Sequence, residues 1–113
     1  YVFWHQGESE IKRANKIYYK NYIKDIQLIF HKFLRTSNKT KIGMALVSIC
    51  NSENSKSLIH SQRSIIQDND RVFLTLNTDN LGSKYRYDGC HFNSLGASII
   101  GQRYASFINK FNK

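Results

Sequence analysis

The sequence predicts an α/β fold in which a parallel sheet carries helices on its faces. Three features point to it. Short apolar runs rich in aromatic and β-branched residues open the chain as YVFWH and return as IGMALVSI and VFLTL. Each is followed by a longer stretch whose apolar residues recur every three or four positions, the period of a half-buried helix. Polar breaks, TSNKTK, NSENS and DND, stand between several of these segments.

The elements follow in order. Tyr1–His5 is short, aromatic and β-prone, as a buried strand requires. From Glu10 to Arg35 the pattern turns helical, with Tyr19, Tyr22, Ile23, Ile26, Phe30, Phe33 and Leu34 on one face. Ile42–Ile49 is a continuous apolar run, expected of a strand covered on both sides. Leu58, Ile59, Gln62, Ile65 and Ile66 form a second helical stripe, and Val72–Leu76 reads as a third strand. A polar loop runs from about Asn77 to Phe92. The last helix starts at Asn93 or Ser94, either a suitable cap, and places Gly96, Ile100, Tyr104, Phe107, Ile108 and Phe111 on one face. The order β-α-β-α-β-α implies right-handed crossovers and a parallel sheet.

With 113 residues the chain is at most one domain. Its 41% hydrophobic and 22% charged content excludes disorder, a collagen repeat and a coiled coil. No stretch approaches the ~20 apolar residues of a membrane-spanning helix, so no membrane partner is expected. The formal charge of +9 attracts polyanions, which keeps a noncatalytic, polyanion-binding module as the rival function class. The basic residues are scattered, however, through KRANK, YYKNYIK, NKTK and NKFNK, the pattern of a solvated surface. The aromatics of KIYYKNYIK have helical spacing and belong to a core, so a nucleic-acid partner is not expected. Cys50 and Cys90 are too few for a zinc site or a disulfide framework. Two free, partly buried thiols are the simplest reading; a bridge forms only if their loops meet, and the cellular compartment is left open. His5, His31 and His60 have no metal-ligand spacing. No metal is expected.

Ligands of parallel sheets bind beyond the carboxyl ends of the strands. Two polar clusters fall there. Asp88 and His91, three apart in YDGCHFNSLG after the third strand, allow the carboxylate to accept a hydrogen bond from one ring nitrogen, leaving the other as a base. Gln6 and Gly7, after the first strand, supply an amide donor and a close-approach backbone, the ingredients of an oxyanion hole. Glu8 can orient its neighbours or accept a proton. Asp79 is an alternative partner for His91, although an Asp in LNTDNLG suits a turn.

WHQGES and YDGCHFNSLGASIIGQRYA together resemble the W-x-Q-G-E-S block and the closing D-G-x-H-F block of the carbohydrate O-acetylesterase branch of the SGNH hydrolases, which includes sialate O-acetylesterases and acetyl-xylan esterases. LIHSQRSII is similar to that family's intervening helix with a Gln. The resemblance implies a three-layer α/β/α sandwich of flavodoxin-like SGNH type, with residues 1–113 as the carboxyl-terminal portion of one esterase domain. It implies hydrolysis of sugar O-acetyl esters through an acyl-serine, without a cofactor. His91 would be the general base, Asp88 its orienting acid, Gln6 the side-chain donor of the oxyanion hole, and Gly7 and Glu8 the shapers of that loop. The family's early G-Q-S nucleophile block does not occur here; Ser9 belongs to QGES instead. The implied partners are therefore an acetylated carbohydrate and the amino-terminal half of the same esterase, on the same precursor or a companion chain.

Overall fold

The computed structural model describes residues 1–8, 16–33, 35, 37–53 and 55–111. Ser9, Leu34 and the start of the expected first helix, 10–15, lie outside them, as do the side chains of Tyr19, Phe30 and Phe33. The elements are β1 (Val2–Trp4), α1 (Lys16–Phe33), β2 (Ile42–Ala45), α2 (Lys56–Gln67), β3 (Val72–Leu76) and α3 (Ser94–Phe111). All strand pairs among the described residues are parallel, in the order β1-β2-β3.

The two-residue period of the strands sorts side chains onto two unlike faces. Ile42, Met44 and Val72 join Ile23 and Ile26 of α1 and Leu58 and Ile65 of α2 in an aliphatic core, with Trp4 packed against it. Phe3 and Phe73 are directed to α3 instead, where Phe3 lies 4.5 Å from the Tyr104 ring and Phe73 5.3 Å from that of Phe111. Between them, Gly43 must be small. A β-carbon there would stand 2.5 Å from Thr75 Cγ2 and 2.7 Å from the Phe3 ring.

The helix starts follow capping chemistry. Ser55 Oγ accepts the Leu58 amide at 3.2 Å, and Asn93 Oδ1 accepts the Gly96 amide at 3.0 Å, which makes Asn93 rather than Ser94 the cap of α3.

Two expectations are corrected. The second strand ends at Ala45, not Ile49, although Leu46, Val47 and Ser48 remain buried. The register with β3 slips between Met44 and Ala45, and beyond Leu46 the backbone amides turn from the ladder to side chains. Val47 N donates to Gln62 Oε1 at 2.8 Å, Ser48 N to Glu8 Oε1 at 3.1 Å and Ile49 N to Asp79 Oδ1 at 3.0 Å. An apolar run signals burial, and burial outlasts strand pairing here because side chains satisfy the buried amides. The second correction concerns the thiols. The loop after β2 and the loop after β3 meet, and Cys50 and Cys90 form a disulfide with their Cα atoms 4.1 Å apart.

Candidate active site

β1 and β3 run parallel, so the segments leaving them emerge on the same edge of the sheet. The opening loop, His5–Glu8, and the closing loop, Arg86–Phe92, lie side by side there. His5, Glu8, Tyr87, Cys90, His91 and Phe92 line a cavity of about 380 Å³, and the His5 and Phe92 rings are 5.8 Å apart. Another cavity, of about 370 Å³, is lined by Lys24, Gln27, His31, Ile42 and Arg71 among others. It lies at the amino-terminal ends of β2 and β3, opposite the edge where parallel sheets place their chemistry.

The closing loop is built from its own residues. Asp88 Oδ1 accepts the amides of Cys90 at 2.9 Å and His91 at 2.7 Å, and Gly89 turns the chain at φ 82°. The second carboxylate oxygen, Oδ2, sits 2.6 Å from His91 Nδ1. The His91 hydrogen bond, helped by the two amides, holds the Asp88 carboxyl at about 2, well below its ordinary range. A carboxylate on Nδ1 fixes the proton there and leaves Nε2 with a lone pair. His91 is 67% exposed, so that nitrogen can meet a substrate. Tyr87 stacks on the imidazole at 5.7 Å, and its amide donates to the His91 carbonyl. Asp79, the alternative partner, instead accepts the Ile49 amide and shapes the tip of β2.

The opening loop is held from a distance. Gln62, fully buried on α2, donates through Nε2 to the Gln6 carbonyl at 3.2 Å while its Oε1 takes the Val47 amide. Gly7 is buried at φ 141°, a backbone angle that disfavours a side chain. Glu8 points one oxygen at the Ser48 amide and lies 3.8 Å from His5 Nε2. Burial pulls the His5 imidazole below 6.5, against the opposing pull of Glu8 and with a further lowering from Arg86. Glu8 and His91 thus share one cavity, whereas Gln6 is half-buried and is not among the residues that line it.

Sequence reading did not single out Arg86, Ser48 or the structural part played by His5. Arg86 stands in YRYDGCH, where nothing in spacing separates a buried guanidinium from a surface one. Among the described residues no group of three or more His, Cys, Asp or Glu is placed to hold a metal ion, and no helix is long and apolar enough to cross a membrane.

The family described as carbohydrate esterase, sialic acid-specific acetylesterase, matches residues 1–110, nearly the whole chain. The chain belongs to that family. No curated protein and no solved structure matches it. The match spans both loops of the crevice, so the esterase family and the paired Asp88 and His91 meet in one stretch of chain.

Proposed function

We propose that the chain is the base-bearing part of a serine esterase that removes O-acetyl groups from sugars, sialic acids being the substrate class that the family description favours. The observation that carries this reading is the 2.6 Å contact of Asp88 Oδ2 with His91 Nδ1, on an exposed ring lining the crevice cavity. In this reading the sheet is the carboxyl-terminal part of an SGNH-type, three-layer α/β/α sandwich. The attacking serine comes from the amino-terminal half of the same esterase, on the same precursor or a companion chain; Ser9 lies outside the described residues.

His91 Nε2 takes the serine proton as the hydroxyl oxygen attacks the acetyl carbonyl, and Asp88 stabilises the imidazolium that results. The developing oxyanion is met by the Gln6 amide, on a loop whose path Gly7 and Glu8 set. His91 then protonates the departing sugar oxygen, leaving an acetyl-serine. Water, deprotonated by the same nitrogen, releases acetate and restores the serine. The net charge of +9 favours encounter with an acidic sugar, as steering rather than as pocket recognition.

The test is acetate release from an O-acetylated sialic acid, with fluorophosphonate labelling to locate the serine. His91→Ala is expected to lower turnover by roughly a thousandfold or more, and Gln6→Ala by about a hundredfold. Unchanged turnover in both variants would refute the roles. Absence of any adduct, together with salt-sensitive nucleic-acid binding, would favour a noncatalytic polyanion module instead.

A further inference from the structure

Arg86 is 8% exposed, and a guanidinium so deeply buried must find partners for its donors. It finds them on three separate segments. Nε donates to the Leu81 carbonyl at 3.2 Å, Nη1 to the Cys90 carbonyl and Nη2 to Ser48 Oγ. The Phe92 ring lies under the guanidinium at 4.2 Å, and that ring also faces His5. Ser48, itself fully buried, passes the connection on, because its amide donates to Glu8 Oε1. One planar fork therefore ties together the tip of β2, the segment after β3 and the residue next to His91, and reaches the opening loop through Ser48 and Phe92.

We infer that Arg86 is a positioning residue of the crevice: it places the Asp88–His91 pair against the His5–Glu8 loop without touching substrate. The division of labour follows from the bonds. Asp88 binds His91 within its own turn, so the pair forms without Arg86. Nothing in that turn says where the pair stands relative to Glu8. The Cys90 carbonyl, one residue before His91, is where the fork grips the turn. An ammonium in the same place would present a point charge, not a fork able to serve three acceptors in one plane. The Cys50–Cys90 bridge ties the same residue to the loop after β2, but it makes no link to Leu81, Ser48 or Phe92.

This inference rests on the reading of His91 as the base, and its test is kept separate from hydrolysis. In the full chain, NMR of Arg86→Met and Arg86→Lys is compared with the native protein. The readouts are the ring-to-ring cross-peaks of His5 and Phe92 and the tautomer of His91. In Arg86→Met the cross-peaks are expected to vanish while the Nδ1-protonated tautomer stays, and Arg86→Lys is expected to weaken them to a lesser degree. A merely structural residue would lower the melting temperature and leave both readouts alone. Should Arg86→Met fail to fold, Ser48→Ala removes one arm of the fork and is expected to weaken the same cross-peaks. Full-strength cross-peaks in a folded Arg86→Met, or in Ser48→Ala if only that variant folds, would overturn the inference. Lost cross-peaks in a chain whose complete enzyme releases no acetate would leave Arg86 as placed here and overturn the esterase reading alone.

Discussion

The two loops of the crevice differ in how much of their bonding is local. The closing loop carries its own scaffold: Asp88 bonds the amides of Cys90 and His91, two and three residues on, and Tyr87 closes back on His91. Among the described residues, the opening loop draws two of its bonds from far along the chain. Its Gln6 carbonyl is served by a residue 56 positions away and Glu8 by one 40 positions away. A site built this way has one half with bonds among a few neighbouring residues and another to which α2 and the tip of β2 contribute.

The difference can be broken from either side. The largest effect is expected from reducing the Cys50–Cys90 bridge. It links residues 40 apart, and loop-closure entropy puts its contribution at about 4 kcal/mol. Urea unfolding with and without reductant measures the loss. Amide exchange at Val47, on the opening-loop side, is expected to stay slow in the reduced but folded chain.

Gln62→Leu attacks the other half. It fills the same space but strands the buried Val47 amide and takes one donor from the Gln6 carbonyl, and with a buried orphan costing about 1–3 kcal/mol, a loss of about 2 kcal/mol is expected. Here Val47 exchange should accelerate while the Nδ1 tautomer of His91 persists. If both perturbations loosen both loops alike, the crevice is one unit and the contrast is wrong.

The smallest effect comes from pH. His5 is held neutral by burial, below its ordinary 6.5. The unfolded chain therefore takes up a proton that the folded chain refuses, and stability is lost as pH falls from 6.5 toward the depressed value. His5→Gln is expected to flatten the stability difference between the two sides of 6.5, and an unchanged slope would assign it to another group.

The same contrast explains what the sequence revealed. Asp88 and His91 were legible because their bond spans three residues and needs only a turn. The strands and helices were legible from periodicity, apart from the end of β2, where burial without pairing looks like a longer strand. The disulfide was open because loop meeting is a tertiary event, and the corrected thiols follow from the adjacency of the β2 and β3 ends. Arg86 was invisible because its three acceptors, the carbonyls of Leu81 and Cys90 and the hydroxyl of Ser48, form no pattern along the chain.

The amides of Val47, Ser48 and Ile49 answer in turn to α2, to the opening loop and to the segment after β3. That makes the tip of β2 a three-way address. Adding or deleting one residue there would hand every amide to the wrong recipient while sparing the ladder of 42–45, so the crevice could be scrambled in a protein whose sheet is still whole.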